Sequence, residues 1–506
     1  MPGFFTNMTI PLDKRPRFAA VAAALLGVVL LGAFFARVPL VRWGVRTLLE
    51  RAGGDEIRFE VAHVSPWRVE LRDVGFRMRT KFHSVGTVEI VREHWWTPSL
   101  GTLRIGDARV PVNIDGSDID PWAPASSRGR VTNVGPLNLP LREIILDGQL
   151  LVQAAGMADQ PVTIRLALRQ TGSKLWAGDL QANGAGLVLK GEIHADPATS
   201  NVGFKVTEFD FDVAPWQDRL QRIVLLPGGS AQLGGRVTGR AAGRLEGKRL
   251  VLGGTLQLRD GRYENRARAV AAEGVEFDLE VVESAQFQTK LGSLRIRELR
   301  TGKLVISDVD AGFAFESAQR IAVSRATLTT LGGQVSVEPF SYSLEQRSRL
   351  DLVVLVNGLS VEQVLALTQD LPAKASGRVN GRLPLRIDEA GVRLSTGWLA
   401  LTPGVAAQVQ FTAPGLLTGG MATSAPAYPI LKKLETGLLQ LDVTELRLDI
   451  RPPNAPSGRS AQLRLVGRPT DPEVKAPVTL DLNVNGPLER LINMGLDSRV
   501  SFGTKP

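Results

Sequence analysis

From residue 57 to residue 485 the chain places apolar side chains two apart, over and over. Trp67, Val69 and Leu71 alternate with Arg68, Glu70 and Arg72. Val162, Ile164, Leu166 and Leu168 alternate with Thr163, Arg165, Ala167 and Arg169. The same rhythm runs through Val202, Phe204 and Val206, then Val275, Phe277, Leu279 and Val281, then Leu294 and Ile296, then Leu352 and Val354. It closes on Val478, Leu480, Leu482 and Val484. Successive side chains of a strand point to opposite faces, so each segment has one greasy face and one wet face. Turn residues recur about every 10–14 residues, which gives on the order of 35 short strands. The chain's 52 glycines and 30 prolines supply that punctuation. Asp147-Gly148, Asn183-Gly184, Asp260-Gly261 and Asn380-Gly381 read as two-residue hairpin turns.

Helical signals are few. Pro39 suits the first turn of a helix over Leu40–Arg51, stopped by Gly53-Gly54. Pro215–Leu226, Ser360–Gln369, Tyr428–Thr436 and Pro487–Leu496 are the other candidates. These cannot roof a long sheet, and an apolar sheet face must be buried against something. A sandwich or closed barrel would bury it with protein. A sheet curled along its length into a trough would bury it with acyl chains. The expected fold is mainly β: an N-terminal transmembrane helix, then a long, curled antiparallel sheet forming an apolar groove, with a few short helices. The expected groove lining is Val69, Leu71, Val162, Ile164, Leu166, Leu168, Phe204, Val206, Phe277, Leu279, Leu294, Ile296, Leu352 and Val354. The expected segments are an anchor (1–38), a juxtamembrane helix (39–56), groove segments 57–213 and 228–376 flanking a helical insertion (214–227), and a C-terminal β segment with a terminal helix (377–506).

Phe18 to Phe35 carries no charge. At a helical rise it covers roughly 27 Å, about one hydrocarbon core. Phe18, Leu25, Leu30, Phe34 and Phe35 are its expected membrane contacts. Lys14, Arg15 and Arg17 precede it and favour a cytoplasmic N-terminus. A cleaved signal peptide is the competing reading, but Phe34 and Phe35 spoil the small-residue pattern before Ala36. No second stretch of spanning length follows, so the rest of the chain is expected on one side of the membrane.

The net charge of +9 favours anionic partners. The basic residues are dispersed, with no long basic run and none interleaved with stacking aromatics, which argues against nucleic acid. The absence of cysteine excludes disulfides, thiolate metal sites and cysteine nucleophiles. Gly243–Lys248, GRLEGK, lacks the glycine and the Ser/Thr of a phosphate loop, since Ala242 and Arg249 occupy those places. Asn183–Gly191, NGAGLVLKG, has Leu189 where a dinucleotide loop needs its third glycine, and reads as a turn. His63, His83 and His94 fall on separate expected strands. Asp210 and Asp212 share a strand face, and a solvated face explains them better than a catalytic pair. No catalysis and no cofactor are expected.

From Leu331 the sequence reads LGGQVSVEPFSYS, then LDLVVLVNGLSVEQVLAL, then GRVNGRLPLRIDEAGVRLSTGWLALTPG. Gly332-Gly333 opens a strand, Asn357-Gly358-Leu359-Ser360 enters a helix, and Gly377–Pro384, Gly397 and Pro403-Gly404 complete the set. This stretch resembles the YdbH family of AsmA-like envelope proteins. Leu480–Leu491 is similar to that family's terminal strand and helix, and His63–Phe76 to AsmA-like starts. The resemblance implies an inner-membrane anchor, a periplasmic β-groove and movement of phospholipid between inner and outer membranes. It also implies a small outer-membrane lipoprotein as partner at the C-terminal end. The alternative is a scaffold or assembly factor for the outer membrane whose sheet packs on itself and stays dry.

Overall fold

The computed structural model describes residues 36–50 and most of 53–484; the stretches left out include 93–100, 114–140 and 224–230. Phe18, Leu25, Leu30, Phe34 and Phe35 of the expected anchor lie outside the described residues, as do His94 and Pro487–Leu496. No described helix is long and apolar enough to cross a membrane. Helix α1 occupies 36–50, so it is already under way before Pro39. Gly53 ends it at φ 87°, donating its N–H to the Glu50 carbonyl at 3.0 Å. A left-handed residue after the last turn satisfies an orphan carbonyl at little cost when it is glycine. The first strand starts at once on Gly54, after the Gly53-Gly54 stop.

The chain divides into two compact units, residues 1–184 with 193–200, and 185–192 with 201–506. The first holds β1 (Gly54–Val64), β2 (Arg68–Met78), β3 (Lys81–Val91), β4 (Gly101–Asn113), β5 (Leu141–Gln153), β6 (Gln160–Thr171) and β7 (Leu175–Gly184). Strands β1 to β4 pair in sequence order and antiparallel. So do β5 to β7. The expectation of a wholly antiparallel sheet fails between the two sets, because β4 and β5 run parallel. A parallel pair needs a long crossover, and residues 114–140 provide the length. Strand β8 (Leu187–Asp196) is divided between the units.

The second unit continues with β9 (Asn201–Asp212), β10 (Gln232–Glu246), β11 (Arg249–Asn265), β12 (Val270–Glu283), β13 (Gln288–Thr289), β14 (Gly292–Thr301), β15 (Leu304–Ser317) and β16 (Arg320–Thr330). Next come β17 (Gly333–Val337), β18 (Phe340–Ser343), β19 (Arg349–Ser360), β20 (Ala373–Ser376), β21 (Arg378–Asp388), β22 (Gly391–Leu394) and β23 (Gly397–Leu401). The last are β24 (Gln408–Phe411), β25 (Leu441–Ile450), β26 (Ala461–Pro469) and β27 (Val478–Val484). The described strands here pair antiparallel along the ladder β9–β10–β11–β12–β14–β15–β16–β17–β19–β21–β23–β25–β26–β27. The 27 described strands run from 2 residues in β13 to 17 in β11.

Three of the four expected hairpin turns are strand interiors. Asp147-Gly148 sits in β5, Asp260-Gly261 in β11 and Asn380-Gly381 in β21. Asp260 takes φ 50° beside a register shift between Leu258 and Gly261, so that pair makes a β-bulge. Asp73, Asp107 and Asp308 adopt the same left-handed backbone inside β2, β4 and β15. Asn183-Gly184 ends β7, and the turn proper is Ala185-Gly186, both at positive φ.

The later helices are short. A 3-10 turn, Ala214–Trp216, leads into α2 (Gln217–Ile223). α3 spans Val361–Ala366, with the Ser360 hydroxyl accepting the Gln363 N–H. α4 spans Tyr428–Glu435.

Candidate functional site

Register turns the alternation of single strands into continuous apolar rows, because residues directly opposite one another share a face. In the first unit one row runs Val61–Leu71–Val88–Ile105–Leu146–Leu166–Leu180 across β1 to β7. A neighbouring row joins Val64, Val69, Ile90, Leu103, Ile144 and Leu168. Ile164 stands opposite Gly148 and Ala182, and Val162 opposite Leu150. All six expected lining residues of this unit therefore share one face.

The second unit carries a longer row. Phe211–Val237–Leu258–Phe277–Leu294–Ala311–Ala326–Val337–Val354–Leu383 crosses ten strands from β9 to β21. Leu279 faces Leu256, Ile296 faces Val275 and Val309, and Leu352 faces Leu385. A bulge between Val206 and Phe209 keeps Phe204 and Val206 on this side as well. The Phe204 ring covers Gly243, where an added Cβ would stand 2.6 Å from its Cζ. Phe277 stacks on Phe313 with ring centroids 5.5 Å apart, and Phe211 leans on Trp216 at 5.7 Å.

The burial of these rows separates the possible folds. Of the fourteen expected lining residues only Leu71 and Val162 are buried, and the other twelve are half-buried. In a sandwich or a packed barrel the inner face would be close-packed and dry. Here most of the row keeps one side open. The C-terminal strands behave otherwise. Val409 and Phe411 of β24, Leu441 and Val443 of β25, Leu465 of β26 and Leu480 of β27 form a buried cluster. Leu434 of α4 seals it at 0% exposure, with Leu441 at 0% and Leu465 at 2%.

The opposite face is laced with ion pairs. Arg236 grips Asp210 through both oxygens, with Nε to Oδ1 at 2.7 Å. Arg259 meets Asp278 at 2.6 Å, Arg386 meets Asp351 at 2.9 Å, and Arg169 meets Glu143 at 2.8 Å. Hydrogen bonds from these arginines hold the carboxyls of Asp210, Asp278, Asp351 and Glu143 below the usual range, as Arg72 does for Glu70. Asp210 is thus an ion-pair member, while Asp212 accepts the Ala214 N–H at the 3-10 turn. His63 lies opposite Glu70, and His83 stacks on Phe76 at 5.4 Å. Gly243–Glu246 belongs to β10, which pairs with β11 up to Glu246 opposite Arg249.

Sequence reading missed Val88, Ile105, Leu146, Leu180 and Leu258 as members of the same rows. Their alternation was present, but only pairing shows that they continue the faces of Leu71 and Phe277.

The features that matter are a two-faced ladder, an apolar face left half open over most of its strands, and very few helices. The model of the YdbH-like family, described as intermembrane phospholipid transport protein YdbH, matches residues 123–405. The chain belongs to this family of lipid transport proteins. The match starts well before Leu331, taking in β5 to β23, and stops short of Leu480–Leu491. No curated protein and no solved structure matches the chain.

Proposed function

We propose that residues 18–35 anchor this chain in the inner membrane and that the strands face the periplasm. There they conduct phospholipid between the inner and outer membranes along the apolar face. The observation that carries the reading is the half-open row from Phe211 to Leu383, in a chain of the intermembrane phospholipid transport family. Acyl chains laid along it would bury apolar area worth about 25 cal/mol per Å². Headgroups would stay at the wet rim. Val69, Leu71, Val162, Ile164, Leu166 and Leu168 line the face in one unit. Phe204, Val206, Phe277, Leu279, Leu294, Ile296, Leu352 and Val354 line it in the other. The transport is passive and uses no catalytic residue and no cofactor. Among the described residues strand β27 pairs with β26 alone, and an added strand on its other edge would suit a small outer-membrane lipoprotein.

Native mass spectrometry of the full chain in detergent tests this. Wild type should carry phospholipid, and Ile164→Glu, Leu166→Arg and Phe277→Glu should each lose most of it, because an unpaired charge among acyl chains is costly. Stable variants that keep both bound lipid and activity in cells would overturn the conduit. Wild type purifying folded and dry would favour the scaffold reading.

A further inference from the structure

On the wet face of β9 to β12 the ion-pair lacing breaks. An open hollow of about 1030 Å³ lies there. The side chains of Lys205, Thr207, Arg240, Arg244, Glu280 and Val282 in its lining all belong to the wet face, so the hollow opens there. Its floor is made of small residues, with Ala242 of β10 directly opposite Lys205 of β9 and Gly253 of β11. Arg240 and Arg244 stand two residues either side of Ala242 and so project on the same face, diagonal to Lys205. Diagonal neighbours sit about 7–8 Å apart at the backbone, within reach of long side chains closing on one anion. Val282 borders the hollow and is 56% exposed.

The charge balance of the hollow differs from its surroundings. Its one carboxylate, Glu280, is taken by Lys290 at 2.6 Å. The nearby Glu208 is taken by Lys190 at 2.8 Å, and Asp210 by Arg236. The side chains of Lys205 and Arg240 make no hydrogen bond or ion pair with any described residue. Elsewhere on this face Arg236, Arg259, Arg325 and Arg386 all have carboxylate partners. Exposed cations over small residues leave room for a tetrahedral anion, and guanidinium groups match its geometry.

We propose that this hollow is a phosphate-binding site, with Lys205 and Arg240 holding the anion and Val282 bordering whatever carbon is attached to it. The site is on the face opposite the apolar rows and stands whether or not those rows carry lipid. The phosphate could belong to a lipid headgroup or be free in solution, and the test separates these sources.

The full chain in detergent is dialysed at low salt against labelled inorganic phosphate. It is dialysed separately against dihexanoyl phosphatidic acid below its micelle concentration, with dihexanoyl phosphatidylcholine as a chain-length control. Saturable binding of the phosphatidic acid is expected, weakened at least about tenfold in Lys205→Gln/Arg240→Gln. Arg236→Gln, on the same face but paired, should bind as wild type. Phosphatidic acid binding about tenfold tighter than inorganic phosphate identifies a lipid headgroup, and equal binding identifies free phosphate. The single variants Lys205→Gln and Arg240→Gln, each checked for its β circular dichroism, give the same reading if the double variant does not fold. No saturable binding of either phosphate probe, or folded variants that bind like wild type, would overturn the site.

Discussion

Two stretches of the second unit handle the same alternation differently. From β9 to β19 the apolar side chains line up in register and remain half-buried, with Phe277 and Leu294 typical. From β24 to β27 the same kind of side chain is closed over by α4, and Leu434 and Leu441 have no exposed surface. The strands do not differ in pattern: Val478, Leu480 and Leu482 are spaced two apart as Val275, Phe277 and Leu279 are. What differs is the presence of one short helix with an apolar stripe. Tyr428–Glu435 places Ile430, Leu431 and Leu434 against β24 and β25. A two-faced strand therefore does not decide whether its greasy side stays open; its covering does. In between, Val356, Leu359 and Val379 form a small buried cluster with Val354 packed against it, so the open row ends on a closed one.

The sharpest way to break this comparison is to charge the closed end. Leu434→Asp should cost more than about 3 kcal/mol, because a carboxylate would be buried without a partner. Hydrogen exchange should show lost protection in β24 to β26 while β11 and β12 keep theirs. Equal loss in both stretches would show that they unfold together. Truncation comes next. Leu441→Ala should cost about 3 kcal/mol and leave a cavity. Phe277→Ala in lipid-free protein should cost only about 1–2 kcal/mol, since much of that ring is already open. Local exchange free energies compare the two.

Acid provides a gentler test. The carboxyls of Glu70, Glu143, Asp210, Asp278 and Asp351 are held low by arginine hydrogen bonds. A folded-state pKa below the unfolded one adds stability at pH values above the unfolded value. That contribution is lost as pH falls through the folded value. All five lie between residues 70 and 351, so exchange below about pH 4 should rise there before it rises in β24 to β26. The smallest effect is Arg236→Gln. Its pair with Asp210 is at the surface, so the midpoint of a urea titration should scarcely move.

The two faces were legible in the sequence because period two is a local property. Val69, Leu71, Ile164, Leu166, Phe277 and Val354 each show it within a few residues. Asp-Gly and Asn-Gly pairs were misread because a dipeptide that tolerates positive φ serves a bulge as well as a turn. Only the partner strand distinguishes Asp260-Gly261 from a hairpin end. The closed core joins Leu434, Leu441 and Leu465 through contacts that no local window contains. The basic hollow is invisible for the same reason: Lys205 meets Arg240 and Arg244 only once β9 is set beside β10 in its particular register.

The one parallel contact among the described strands, β4 against β5, bears on how the chain assembles. Most other rungs join close neighbours in sequence and can zip up one after another. Closing a long connection before any pairing rewards it is slow. The β4–β5 seam must wait until that connection closes, while β1 to β4 and β5 to β7 can each pair among themselves. Pulse-labelling during refolding should therefore find β5 to β7 protected before the seam with β4 closes. The order of birth along this chain would then differ from its order in space.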